Sequence, residues 1–157
     1  MSLDDFIISV APQYQGFARY INDYLLNNGC VLKMANAKNG FVVSYQHVAK
    51  KRVVMNFVFR KNGLVARIYG DHVGEYPEFL ETLPDSMRIS IQTAPACKRF
   101  DNPPKCNSKC GGYVFSIGGM QYQKCRYNCF LFVVSDESIP FITTHIEKEL
   151  AARAANH

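Results

Sequence analysis

No stretch of the chain approaches the roughly 18 to 20 consecutive apolar residues that a membrane-spanning helix requires. The first residues, Met1-Ser2-Leu3-Asp4-Asp5, are acidic where a secretory signal is basic, and no long apolar segment follows them. The expectation is a cytoplasmic protein with no membrane partner. The sequence also lacks a Cys-x-x-Cys, so thioredoxin-type exchange has no motif to work with. Gly-x-Gly-x-x-Gly and Walker patterns are missing as well, which excludes a glycine-rich phosphate loop of the usual kinds.

What is present is an ordinary globular composition, 48% hydrophobic and 20% charged over 157 residues. That length suits one domain, residues 1–157, able to bury a core without staples. The formal charge of +5 is unevenly placed. Between 97 and 126 lie Lys98, Arg99, Lys105, Lys109, Lys124 and Arg126 against Asp101 alone, and basic and acidic side chains balance elsewhere. The same segment, 97–129, holds five of the six cysteines.

Phe6, Ile7, Val10, Phe17, Tyr20, Ile21, Tyr24 and Leu25 recur at helical spacing, and Pro12 divides this stretch into a short and a longer helix ending near Gly29. Two Lys-Asn-Gly turns between β-rich runs predict a four-stranded meander over residues 31–70. A helical pair follows, broken at Pro84, with Asp85 as the expected N-cap of its second member. Gly118-Gly119 predicts a further hairpin whose second strand runs through residues 120–134. Ile139, Ile142, Ile146 and Leu150 then define a C-terminal helix behind the capping sequence Ser135-Asp136-Glu137. His145 is expected at the boundary of that helix, and Glu147 and Glu149 on its surface. The fold class is α+β: an antiparallel meander plus a C-terminal hairpin, packed with N-terminal, central and C-terminal helices.

The cysteines follow the order Cys97, eight residues, Cys106, three, Cys110, fourteen, Cys125, three, Cys129. Structural zinc takes four soft ligands at about 2.3 Å, commonly as two close pairs separated by a longer loop. On a continuous strand Cys125 and Cys129 would lie about 13 Å apart at ~3.3 Å per residue, too far to share a metal. The candidate zinc set is therefore Cys97, Cys106, Cys110 and Cys125, with Cys129 and Cys30 as buried thiols. The surrounding cations would offset the net charge of minus two on a zinc tetrathiolate. Reduced thiols, adventitious disulfides and a reactive cysteine are the alternatives.

Two other sites are open. Lys98, Arg99, Lys124 and Arg126, interleaved with Phe100, Tyr122 and Tyr127, suggest a nucleic-acid surface on which aromatics stack bases and cations meet phosphates. His47, Tyr69 and His72, with Asp71, sit at strand exits and could line a small-molecule or catalytic pocket beside the meander. The terminal His157 suggests nothing further. The run NFVFRKNGLVARIYG, the helical pair and GGYVFSIGGMQYQKCRYNCFLF resemble the small α+β domains of YdhG-like and TfoX/YjbR-like proteins, which implies such a domain but no catalytic residue. CNSKCGGYVF with YQKCRY is similar to bacterial cysteine-containing proteins of unknown function. The resulting expectation is a non-catalytic binding or regulatory module with a structural zinc site, its partner a nucleic acid or a protein.

Overall fold

Capping sets the first boundaries. In the computed structural model, which describes residues 1–107 and 110–156, the Ser2 hydroxyl accepts from the Asp5 amide and the Asp5 carboxylate accepts from the Ser2 amide. This reciprocal box opens α1, Leu3–Ser9. Pro12 opens α2, Pro12–Asn27, where its missing N–H is not needed. Gly29, at a φ of +85°, turns the chain into the sheet.

The meander follows as β1 (Cys30–Ala37), β2 (Gly40–His47), β3 (Arg52–Arg60) and β4 (Gly63–Ile68), each paired antiparallel with the next. Register places Val43 beside Phe57, Tyr45 beside Met55, Met55 beside Ile68 and Phe57 beside Ala66. All six side chains are buried on one face, against Phe6 of α1 and Ile21 and Leu25 of α2. Tyr45 keeps its hydroxyl satisfied there by donating to Asn22 Oδ1 at 3.0 Å.

Two short helices follow, α3 (Pro77–Glu81) and α4 (Asp85–Gln92). Pro84, not Asp85, occupies the N-cap of α4, and Asp85 instead pairs with Arg88 within the first turn. The hairpin consists of β5 (Tyr113–Ile117) and β6 (Met120–Lys124), which form a separate two-stranded sheet. Its inward residues Tyr113, Phe115 and Ile117 are buried, with Tyr113 and Phe115 against Phe130.

The second strand does not continue to 134. After Lys124 the chain makes a helical turn, with the Cys129 amide donating to the Cys125 carbonyl, and then enters β7 (Leu131–Val133). β7 pairs with β4 and completes a five-stranded sheet in the order β1-β2-β3-β4-β7. The final helix is α5, Ile139–Ala155, with Ser138 at its N-cap. No helix among the described residues is long and apolar enough to cross a membrane.

Candidate functional site

α5 brings its polar residues under the exit of β4. Glu149 is fully buried and takes four hydrogen bonds: the His72 amide at 3.0 Å and the Tyr76 hydroxyl at 2.6 Å on Oε1, His72 Nδ1 at 2.9 Å and Arg153 Nε at 2.7 Å on Oε2. A carboxylate can only accept, so His72 carries its hydrogen on Nδ1. Tyr76 gives its one proton to Glu149, so His145 Nε2, 3.2 Å from the Tyr76 oxygen, is the donor in that contact. Glu149 is thus the hub of a buried network, not a surface charge.

His145 is likewise interior, not a boundary residue. Phe79 and Phe130 pack on its ring, and Gly70 leaves it room: a Cβ there would lie 2.9 Å from Phe130 and 3.2 Å from His145 Nε2. Burial lowers its pKa from the ordinary 6.5 to about 3. The unfolded chain therefore binds a proton between pH 6.5 and 3 that the folded chain refuses. Stability is expected to fall as pH drops through that window, by up to about 1.4 kcal/mol per pH unit. Denaturant unfolding at successive pH values checks this. His145→Gln should flatten the slope, and an unchanged slope would contradict the assignment.

Above this network lies a cleft of about 410 Å³ lined by Lys50 from the β2–β3 turn, Arg52 at the start of β3, Asp71 and His72, Gly111 to Tyr113, Arg126, Arg153 of the last helical turn and the C-cap Asn156. Asp71 organises its cations. Arg126 grips it through two bonds of 2.9 and 3.2 Å, Arg52 lies at 3.3 Å, Arg153 at 3.5 Å, and the Tyr113 hydroxyl donates at 3.0 Å. Burial alone would raise the Asp71 carboxyl, but the bond and charge of Arg126, with Arg153 and Arg52, hold it below the ordinary carboxylate range. Burial and the Asp71 charge push the Tyr113 hydroxyl well above its ordinary value, so it remains a donor at neutral pH.

Of the pocket residues expected from sequence, His72 lines this cleft. Tyr69 lies beneath it, its ring 4.3 Å from the Arg126 guanidinium carbon. His47 stands apart, accepting from the Lys50 amide and facing Gly29.

A second, smaller pocket of about 210 Å³ adjoins the first through Arg126, which lines both. Cys97, Cys106, Cys110 and Cys125 line it together. Cys97 and Cys125 flank an antiparallel bridge between Ala96 and Lys124, fixed by bonds from the Cys97 amide to the Gln123 carbonyl and from the Cys125 amide to the Pro95 carbonyl. Gly112, at a φ of +62°, presses on Cys97 so closely that a Cβ would fall 2.4 Å from its sulfur. Asn128 Nδ2 lies 3.5 Å from the Cys125 sulfur.

All six thiols are free, and no group of three or more cysteine, histidine or acidic side chains is arranged to hold a metal among the described residues. The helical turn leaves Cys129 a single turn from Cys125 rather than a strand's length away, so distance does not separate the two; complete burial does. Burial raises both its thiol and that of Cys30, the latter to about 11.

The four proposed nucleic-acid contacts divide. Lys124 is buried, with Nζ donating to the carbonyls of Gln92 and Ala94 at 2.7 Å each, and Arg126 is engaged by Asp71. Lys98 and Arg99 remain exposed, although Arg99 also donates to the Cys110 carbonyl. Lys109 and His157 lie outside the described residues. No family model matches the chain, and neither a curated protein nor a solved structure is significantly similar to it.

Proposed function

We propose that the protein is a non-catalytic binding module whose β5–β6 hairpin is anchored by one structural zinc ion on Cys97, Cys106, Cys110 and Cys125. The observation that carries this reading is the sorting of the six cysteines: Cys97, Cys106, Cys110 and Cys125 line a single pocket, and Cys30 and Cys129 lie buried outside it. Packing alone gives no reason for two exposed-to-intermediate thiols, Cys106 and Cys110, to share a pocket with Cys97 and Cys125 in a polar loop.

Zinc would supply the missing cohesion by drawing the Cys106–Cys110 loop onto the Cys97–Cys125 bridge. The Asn128 amide lies beside Cys125, where it would support a thiolate, while Lys98 lines the pocket and Arg99 donates to the Cys110 carbonyl, so that both would offset the site's negative charge. A binding rather than catalytic role is favoured because Asp71 and Glu149, the carboxylates at the neighbouring cleft, are each saturated by donors that fix them in place.

Thiol titration of protein purified without chelator tests the ligand set. No thiol should react quickly until chelator is added, and four should react afterwards, with Cys30 and Cys129 reacting only on unfolding. Prompt modification of Cys106 before any chelator would overturn the reading.

A further inference from the structure

The cleft beside the hairpin has a charge excess and an unanswered donor that zinc does not explain. Lys50, Arg52, Arg126 and Arg153 bring four positive charges to it, and Asp71 and the underlying Glu149 neutralise two. A further carboxylate, Glu75, is held by Asn156 Nδ2 but does not line the cleft.

Arg153 forms the floor, with only 3% of its side chain exposed. Its Nε serves Glu149, and its Nη2 serves the Val53 and Tyr69 carbonyls at 3.1 and 2.9 Å. Nη1 has no partner at all, the only buried side-chain nitrogen or oxygen so left among the described residues. A buried cationic donor without an acceptor is costly, so a negative charge brought into the cleft above it offsets that cost. Above it, Arg52 engages Asp71 through Nε, leaving its two terminal nitrogens for another acceptor, and Lys50 spends one of three donors on the Asn156 carbonyl.

We propose that this cleft binds the phosphate group of a small phosphorylated molecule, with oxygens received by Arg52 and Lys50 over the positive charge of the Arg153 floor. A phosphate monoester carries about −1.5 to −2 at pH 7, matching the excess of two, whereas one carboxylate would leave half of it unmet. Its several strong acceptor oxygens suit guanidinium donors converging from different walls. The volume of about 410 Å³ accommodates a metabolite-sized ligand. Asp71 is the positioning residue, holding Arg126 and Arg52 at fixed angles before a ligand arrives.

The test is calorimetric titration of the purified full chain with inorganic phosphate. Acetate and sodium chloride at matched ionic strength serve as comparisons, with zinc content measured on the same sample. Phosphate should saturate one site at least about tenfold more tightly than acetate. Arg52→Gln and Lys50→Gln should each weaken it by about fivefold or more without lowering the melting temperature, because both side chains lie outside the buried network. Lys38→Gln, in the β1–β2 turn, should change nothing. Phosphate binding no better than chloride, equal binding of acetate, or indifference to Arg52→Gln would overturn the proposal. Because zinc is measured alongside, phosphate binding by a metal-free sample would overturn the zinc reading alone.

Discussion

Replacing Glu149 with alanine is expected to cost about 3–5 kcal/mol of folding stability, the range found when one partner of a buried ion pair is removed. The side chain is completely buried, and its loss strands the Arg153 guanidinium, the His72 ring and amide, and the Tyr76 hydroxyl with nothing to accept their hydrogens. For a chain of this size the melting temperature should fall by roughly 6–20 °C. Glu149→Gln should also destabilise, because its amide nitrogen would face donors where an oxygen now accepts two bonds. Replacing Glu149 and Arg153 together with leucine and methionine should recover part of the loss, since no buried charge is then left unpaired while the His72 and Tyr76 donors stay unanswered. Urea unfolding measures all three, and a loss below about 1 kcal/mol for Glu149→Ala would show that the network is not what holds α5 to the β4 exit.

On the proposed zinc site, chelation is the second large perturbation. At a free concentration one hundred times its dissociation constant, a ligand of the folded state alone adds about 2.7 kcal/mol. Chelation should therefore lower the melting temperature by about 5–11 °C. The effect should centre on the Cys97–Cys125 bridge and the hairpin beside it, because the proposed ligands line the pocket there. Cys97→Ser should reproduce the loss and make it insensitive to chelator, whereas Cys30→Ser should remain fully sensitive. Hydrogen exchange locates the change: protection lost across β5 and β6 with β2 and β3 unaltered is the expected pattern.

Most of the architecture was legible in the sequence because short-range chemistry decides it. Pro12, the two Asn-Gly turns and the Ile139–Leu150 stripe mark boundaries that local sterics and periodicity impose. The continuous strand over 120–134 was not foreseeable as broken, since the run from Cys129 to Val134 is apolar in either conformation and the turn at Cys125–Cys129 satisfies its amides locally.

The candidate site divides along the same line. The cysteines declare themselves by composition, and His72 with Asp71 by position at a strand exit. Glu149, Arg153 and His145 were hidden because a charged or titratable residue on an amphipathic helix looks solvated until its partners are known, and the partners outside α5 lie 69 to 100 residues away. Only the spacing of Glu149 and Arg153, four residues apart, hinted at a pair. Lys124 misleads for the opposite reason: its strand position suggests a surface cation, while the carbonyls of Gln92 and Ala94 draw it inward.

The most direct measurement is the zinc content per chain of protein purified without chelator. A structural four-cysteine site should be close to filled, giving about one zinc per chain. Fewer than about 0.2 equivalents, with the pocket thiols freely titratable, would contradict the assignment of Cys97, Cys106, Cys110 and Cys125 as a metal site.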